Sequence, residues 1–210
     1  MEIIGQGRTA DVHALDEGRV LRRYRDGWDA TREAVVMTRL ADRGYPVPAV
    51  LHAEGTDLVM ERLTGPSLMD ALLTGAYEPG PAGELIADLL SRLHALPGDG
   101  VVHLDLHPGN VILTAARGPV VIDWQTAEEG SPPGLDCAMS ALILAEAAVS
   151  PAPYAAGARA ILAGLLPALR TPALPHLPAA RERRAKDPNL TAAEVAALGA
   201  AAELIRALSA

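Results

Sequence analysis

Residues 103–110 read His103-Leu-Asp-Leu-His-Pro-Gly-Asn110, and Asp123 follows thirteen positions after Asn110. Two short apolar runs, 111–113 and 120–122, lie between them and flank a turn, a pattern that predicts a β-hairpin. A hairpin returns the chain to its starting point, so the polar side chains at its two ends are expected to be neighbours. The stretch therefore predicts one small polar site, built from a loop and the hairpin that follows it.

The polar residues of this stretch have the chemistry that phosphoryl transfer requires. That reaction depends on metal ions that hold the phosphates and on a carboxylate that orients the accepting hydroxyl. Asp105 can accept the hydroxyl proton, while Asn110 and Asp123 offer oxygen atoms that suit Mg²⁺. We therefore expect a catalytic Asp105 and a Mg²⁺ site at Asn110 and Asp123, acting on ATP or GTP.

The spacing His-x-Asp-x-His-x-x-x-Asn, followed by an Asp on the next hairpin strand, resembles the aminoglycoside phosphotransferase and choline kinase-like branch of the protein-kinase fold. The chain departs from that pattern at Leu104, where family members often have Gly. The resemblance implies that His103 is structural, packed beneath the loop, and that Asp136 is a buried carboxylate that holds the loop backbone. It assigns no role to His107.

The same resemblance implies an α+β, bilobal protein-kinase-like fold. A small antiparallel-sheet amino lobe with one helix is expected over residues 1–62, and a larger, mainly helical carboxy lobe over residues 63–210. The residue pattern agrees, since short alternating apolar runs punctuated by glycines come first and Ala- and Leu-rich helical spacing follows. The predicted strands are 3–4, 11–15, 19–23 and 58–60. One predicted helix has Val35, Val36 and Leu40 on its buried face, and the others are 67–73, 84–96, 135–149, 154–169 and 191–208. A Pro-rich connector is predicted at 171–178.

The amino-terminal residues fit a phosphate-binding role. Residues 5–12 read G-x-G-x-x-A-x-V, one substitution from the kinase phosphate-covering loop, which places Gly5 and Gly7 near the phosphates. Arg22 falls where the strand Lys that grips the phosphates belongs, and Glu33 falls where its ion-pair partner belongs. Arg keeps the positive charge, but its planar fork is not equivalent to an ammonium group. Arg22 either takes over this duty or is a surface charge on a strand.

Residues 58–63 resemble the hinge between the lobes, where the backbone of Glu61 and Leu63 is expected to hydrogen-bond the adenine base. On the same resemblance the base is lined by apolar side chains, although core packing alone also predicts apolar residues there. These side chains are Val12, Val20, Met60, Ile112 and Ile122.

Composition limits the partners of this 210-residue chain. Its net charge of −8 argues against binding nucleic acid, and its most apolar run, 138–149, is too short to span a membrane. The amino terminus lacks the pattern of a signal peptide, so a cytoplasmic location is expected. The single Cys137 predicts a buried small side chain rather than a disulfide. A homodimer is possible, and the sequence leaves the oligomeric state open.

Two other interpretations compete with catalytic phosphoryl transfer. His103 and Asp105 could form half of a two-His-one-carboxylate iron site, completed by His107 or His176, but this leaves Asn110 and the glycine loop without a role. A nucleotide-binding pseudokinase without turnover would explain the Arg at position 22.

The acceptor is expected to be a small molecule that carries a hydroxyl group. Twelve residues separate Asp123 from Asp136, too few for a long segment that docks a peptide. A cationic acceptor, such as an aminoglycoside or an amino alcohol, is suggested by the acidic balance and by Glu128, Glu129 and Asp99 near the loop. These three residues could equally be solvated loop charges.

Overall fold

The computed structural model describes residues 2–7, 9–98 and 100–209. The strands are β1 (Glu2–Gln6), β2 (Ala10–Ala14), β3 (Arg19–Tyr24), β4 (Val50–Glu54), β5 (Asp57–Glu61), β6 (Val101–Val102), β7 (Val111–Thr114), β8 (Gly118–Val121) and β9 (Glu128–Glu129). The helices are α1 (Thr31–Asp42), α2 (Leu68–Leu73), α3 (Pro79–His94), α4 (Pro133–Val149), α5 (Ala155–Ala168), α6 (Leu177–Arg184) and α7 (Ala192–Leu208), with short 3-10 helices at Pro108–Asn110 and Leu174–His176. The predicted α+β, kinase-like fold class is confirmed.

The contacts divide the chain into two compact units. One contains Met1–Pro66 with Val111–Gln125, and the other contains Ser67–Asn110 with Thr126–Ala210. The sequence places its boundary between residues 62 and 63, and the structure assigns the hairpin that follows Asn110 to the first unit.

The first unit is built on an antiparallel sheet with the strand order β1-β2-β3-β5-β4. The register sets Val12 opposite Arg22 and Val20 opposite Met60. Opposed residues share a face and faces alternate along each strand, so these four side chains lie on the same side of the sheet. Four of the residues predicted to bind the nucleotide are therefore brought to one face.

Helix α1 buries a different face from the predicted one. Its buried side carries Glu33, Met37 and Leu40, whereas 54% of Val35 is exposed. Only Leu40 of the predicted apolar stripe is fully buried, and Val36 is partly exposed. Residues three or four positions apart share a helix face, so Leu40 lies on the same face as Met37 and Glu33. That face was not predicted because Glu is charged and is rarely buried.

The β7–β8 hairpin is held in the first unit by main-chain hydrogen bonds. The N–H of Val121 donates to the carbonyl of Pro46 at 2.8 Å, and that of Leu113 donates to the carbonyl of Pro66 at 2.9 Å. Gly65 makes the second contact possible, because its φ is 148° and a Cβ there would lie 2.0 Å from the Leu113 carbonyl oxygen. Only glycine fits at this position.

The second unit is mainly helical, and its helices α3 and α5 cross at small residues. A Cβ on Gly83 would lie 2.1 Å from the Ile161 carbonyl oxygen, and one on Gly164 would lie 2.3 Å from that of Gly80. The two backbones are therefore in direct contact. Capping boxes form at the starts of α2 and α7, with Ser67 and Thr191 as the N-cap residues.

The sequence did not predict strands β4, β6 and β9 or helix α6. Strand β4 lies at the edge of the sheet, where its sequence, VLHAE, does not alternate clearly between apolar and polar residues. The predicted connector at 171–178 contains a 3-10 helix and the start of α6. Pro178 occupies the first turn of α6, a position where proline is tolerated, so a Pro-rich sequence concealed a helix. No helix within the described residues is long and apolar enough to cross a membrane.

Candidate active site

The loop that begins at His103 is held by the carboxylate of Asp136, which lies in the first turn of α4 and is fully buried. Its two oxygens accept hydrogen bonds from the N–H of His103 at 2.9 Å and from the N–H of Leu104 at 2.7 Å. His94 Nε2, at the end of α3, lies 2.9 Å from the same carboxylate. Asp136 thus has the contacts that the family resemblance implies. His94 was not predicted, because nothing in the sequence near it marks a partner 42 residues away.

Leu104 has a backbone conformation that glycine adopts more readily than other residues. Its φ is 64°, in the left-handed region, where a residue with a Cβ is less stable by roughly 1–2 kcal/mol. Its side chain is buried, so apolar packing offsets part of that strain. The bond from Asp136 to the Leu104 N–H stabilises the loop in this conformation.

His103 is buried and makes contacts within the loop. Its Nδ1 accepts the N–H of Asp105 at 3.2 Å, and its carbonyl accepts the hydroxyl of Thr126 at 2.8 Å. These contacts match the structural role implied by resemblance. They also orient the residue expected to be the base, since His103 supports the backbone of Asp105 directly.

Asp105 and Asn110 are joined within the loop. The amide nitrogen of Asn110 donates to the Asp105 carbonyl at 2.9 Å and lies 3.3 Å from its carboxylate Oδ2. This orientation assigns the nitrogen of Asn110 to Asp105 and leaves its amide oxygen as the atom suited to a metal ion. Asn110 is buried at the end of a 3-10 turn, whereas Asp105 is partly exposed.

His107 lies between the backbone of Gly109 and the carboxylate of Asp105, a position to which the sequence assigned no role. Its Nδ1 accepts the N–H of Gly109 at 3.1 Å, which leaves the proton of the neutral ring on Nε2. Nε2 lies 3.9 Å from Oδ2 of Asp105. His107 therefore turns a proton-bearing nitrogen towards the carboxylate expected to act as the base.

In the first unit, Arg22 is buried and connects two carboxylates. Its Nη1 lies 3.3 Å from Oε1 of Glu33, and its Nη2 donates to Oδ1 of Asp123 at 2.5 Å. Burial alone lowers the pKa of Arg22, but the carboxylates of Glu33 and Asp123 raise it above its ordinary value. The surface-charge interpretation of Arg22 is wrong. Sequence reasoning placed Arg22 and Glu33 together and did not predict their link to Asp123.

Glu33 is the centre of this cluster. Besides Arg22, it receives hydrogen bonds from the hydroxyl of Tyr24 and from the N–H of Trp124 at 2.8 Å. Burial raises the pKa of Glu33, while the charge of Arg22 and both hydrogen bonds oppose that shift. Through the bond to Trp124, Glu33 fixes the backbone immediately after Asp123, whose own φ is 64°. The cluster therefore orients Asp123 from both its side chain and its backbone.

The glycine loop forms a tight turn, in which the N–H of Gly7 donates to the carbonyl of Ala10 at 2.9 Å. The Gly7 carbonyl accepts a hydrogen bond from Nη2 of Arg25 at 2.6 Å. Gly5 pairs with Val12 at a β-bulge, and a Cβ there would make only ordinary contacts. A predicted phosphate loop is thus present as a turn, while its residue Arg8 lies outside the described residues.

The residues expected around the adenine base differ in exposure. Val20 and Met60 are buried, whereas Val12, Ile112 and Ile122 are only partly buried. At the predicted hinge, Leu63 is also partly exposed.

The N–H of Glu61 donates to the Ala49 carbonyl at 2.9 Å, so this group is already engaged and is not available to the base. The carboxylate of Glu61 pairs with Arg117, with both oxygens at 2.8 Å.

The acidic residues proposed to attract a cationic acceptor are partly engaged. Arg183 on α6 donates to Glu128 at 2.6 Å, and this hydrogen bond lowers the pKa of Glu128. The neighbouring Arg184 pairs with Glu146 and Asp187 at 3.0 and 2.8 Å. Both of these arginines at the end of α6 are thus engaged in ion pairs. Asp99 lies outside the described residues.

Asn110 and Asp123 lie in different units, and the Mg²⁺ site that they are expected to share stays a prediction. Each side chain carries hard oxygen atoms, and 36% of the Asp123 side chain is exposed. Across residues 2–7, 9–98 and 100–209, no group of three or more His, Cys, Asp or Glu side chains is placed to hold a metal ion. Mg²⁺ usually takes only one or two protein ligands and completes its shell with phosphate and water. The iron interpretation is not supported, because His103 is buried and its Nδ1 accepts the Asp105 N–H.

The antiparallel five-stranded sheet of the first unit and the mainly helical second unit define a kinase-like fold. Residues 9–135 match the RIO domain, which is more than half of the chain, and the chain belongs to the RIO domain family. Residues 98–175 also match the phosphotransferase enzyme family. Kinase-like families generally use ATP and Mg²⁺. The narrower resemblance to aminoglycoside phosphotransferases and choline kinases stays a prediction.

Several serine/threonine-protein kinases are similar to parts of the chain. PEPKR2 of Arabidopsis thaliana is 37% identical over 102 residues, which are 46% of this chain and 21% of that protein. PkaA of Streptomyces coelicolor is 38% identical over 110 residues, 50% of this chain and 20% of that protein. PknB of Mycobacterium tuberculosis is 30% identical over 91 residues, 43% of this chain and 14% of that protein. The chain thus spans about a fifth or less of these relatives.

Proposed function

We propose that this protein is a Mg²⁺-dependent phosphotransferase that moves the γ-phosphate of ATP or GTP to a hydroxyl group of an acceptor. The observation that carries this proposal is the loop in which Asn110 orients Asp105 while Asp136 holds the backbone. A partly exposed carboxylate on a firmly held loop suits a group that must accept a proton at a defined position.

The proposed roles divide among residues of both clusters. Asp105 accepts the proton of the acceptor hydroxyl, and Nε2 of His107 lies 3.9 Å from its carboxylate. Asn110 and Asp123 would hold Mg²⁺, which neutralises charge on the transferring phosphate when it is bound. Arg22 contributes positive charge next to Asp123.

We further propose a small-molecule acceptor. Between Asp123 and the start of α4 at Pro133 the chain is short, and part of it is occupied by β9, which pairs with β6. In the same stretch Ser131 donates to Glu128 at 3.0 Å. These bonds leave little chain for an extended segment that could dock a peptide. An amino alcohol or amino sugar remains the first candidate within this class.

A serine or threonine hydroxyl of a protein is the second candidate acceptor. It is favoured by the similarity to serine/threonine-protein kinases, which covers up to half of this chain. The two acceptor classes differ in what they require from the protein, since a peptide needs an extended docking surface whereas a small molecule needs a pocket.

Transfer of radiolabelled γ-phosphate from ATP and from GTP tests the proposal. The acceptor panel contains amino sugars, amino alcohols, neutral sugars, nucleosides, and peptides and proteins with Ser or Thr. We expect Asp105→Asn to lower the transfer rate by roughly 10²–10⁴-fold, the usual contribution of a general base. Asp88→Asn is the matched control, since Asp88 lies on α3 and 53% of its side chain is exposed.

Each outcome has a defined meaning. Nucleotide binding without turnover on any acceptor would replace the proposal with the pseudokinase interpretation. Transfer to peptides but not to small molecules would select the second acceptor class. A preference for neutral sugars over amino sugars and amino alcohols would reject a cationic acceptor.

A further inference from the structure

Arg22 and the proposed metal compete for the same ligand. Nη2 of Arg22 donates to Oδ1 of Asp123 at 2.5 Å, and the Arg22 side chain is only 9% exposed. A guanidinium at this distance is a cation placed directly on a carboxylate oxygen. A divalent ion bound to the same oxygen requires Arg22 to move away or to share it, and two cations on one oxygen repel each other.

Arg22 has a second anchor that remains when the first is released. Its Nη1 lies 3.3 Å from Glu33, which is fixed from the other side by Tyr24 and by the N–H of Trp124. Only 2% of Glu33 is exposed, and removing its cation would leave a buried charge without compensation. Arg22 is therefore expected to stay on Glu33 and to exchange only the partner of Nη2.

We propose that Arg22 neutralises the charge of Asp123 when no ligand is bound. Its Nη2 leaves Asp123, which can then bind the metal, only when the phosphates of a nucleotide offer Nη2 a replacement partner. Metal and nucleotide then bind together, and the metal alone binds weakly. An Arg suits this exchange better than a Lys, because its fork can hold Glu33 and a second anion at once. This inference rests on the proposed function, in which Asp123 is a metal ligand.

The test measures Mn²⁺ binding by electron paramagnetic resonance, with and without a non-hydrolysable ATP analogue. The variant is Arg22→Met combined with Glu33→Gln, because the Gln keeps an acceptor for the Trp124 N–H and leaves no unpaired buried charge. Arg23→Met is the matched control. Arg23 lies on the same strand and pairs with Asp57, with 48% of its side chain exposed, so its replacement tests whether loss of a nearby exposed positive charge alters Mn²⁺ binding, whereas the double variant leaves the net charge unchanged.

We expect Mn²⁺ alone to bind the double variant about tenfold more tightly than the unaltered protein, the fold-change that corresponds to one released charge-assisted hydrogen bond. The increase in Mn²⁺ affinity caused by the nucleotide analogue should shrink by a similar factor. Arg23→Met should leave both values within twofold. Unchanged or weaker Mn²⁺ binding by the double variant overturns the inference.

Asp123→Asn distinguishes this failure from failure of the proposed function. If Asp123→Asn abolishes Mn²⁺ binding while the double variant changes nothing, the metal site stands and only the exchange by Arg22 is rejected. If no variant and no nucleotide condition gives Mn²⁺ binding, the proposed metal site fails, and this inference fails with it. Thermal unfolding of each variant, recorded without metal, shows whether it is folded under the conditions of the assay.

Discussion

Replacing Asp136 with Asn should destabilise the second unit and disable the loop that carries Asp105. The carboxylate is fully buried, accepts two backbone N–H groups and lies 2.9 Å from His94 Nε2. Asn keeps one acceptor oxygen and turns an NH₂ group towards a donor, so at least one charge-assisted hydrogen bond is lost and one buried N–H has no acceptor. Such a bond contributes roughly 1.5–3 kcal/mol, and an unsatisfied buried donor costs a further ~1–3 kcal/mol. We expect the free energy of unfolding to fall by about 3 kcal/mol.

Urea unfolding followed by far-ultraviolet circular dichroism measures that change, and phosphate transfer measures the effect on the loop. Without its bond to Asp136, Leu104 is expected to leave its positive φ, which shifts Asp105 and lowers the transfer rate by about 10²-fold. The exposed Asp88→Asn variant should change neither quantity. An Asp136→Asn protein that unfolds within about 1 kcal/mol of the unaltered chain and transfers phosphate normally would refute this account of the loop.

Three further variants or probes test other parts of the structure. Gly83→Ala should lower the free energy of unfolding by about 2–4 kcal/mol, because its Cβ would lie 2.1 Å from a carbonyl oxygen of α5. Gly80→Ala on the same helix places a Cβ where no atom lies within 4 Å, so it should be neutral or stabilising. Equal urea midpoints for the two variants would contradict this. Cys137 is buried, and burial raises the pKa of its thiol to about 12, so thiol reagents at pH 8 should label it only as fast as the protein opens. Tyr24→Phe removes a donor from Glu33 and should cost about 1–3 kcal/mol in urea unfolding; a loss below 0.5 kcal/mol would show that the hydroxyl does not support Glu33.

Local sequence patterns predicted the parts of the site that lie close together in the chain. The spacing from His103 to Asn110 defines one loop, and its internal bonds join residues no more than five positions apart. The capping boxes at Ser67 and Thr191 were likewise predictable, since each lies within four residues. Short-range chemistry of this kind is encoded in the order of residue types and needs no knowledge of the tertiary fold.

The remaining features depend on contacts between distant segments. His94 meets Asp136 across 42 positions, and Glu33 meets the Trp124 N–H across 91. Nothing near His94 in the sequence distinguishes it from a polar residue at the end of a helix. The buried face of α1 was misassigned for the same reason, because Glu33 is drawn inward by partners that only the fold supplies.

The positive φ of Leu104 has a consequence for the order in which this protein matures during synthesis. The loop adopts that conformation with the help of a carboxylate that leaves the ribosome 32 residues after Leu104. A nascent chain that ends before α4 therefore lacks the group that sets the loop, even though all eight residues from His103 to Asn110 are present. As the nascent chain lengthens, the loop is expected to reach its native conformation abruptly, once α4 has emerged and folded. It is not expected to do so gradually while the loop itself is synthesised.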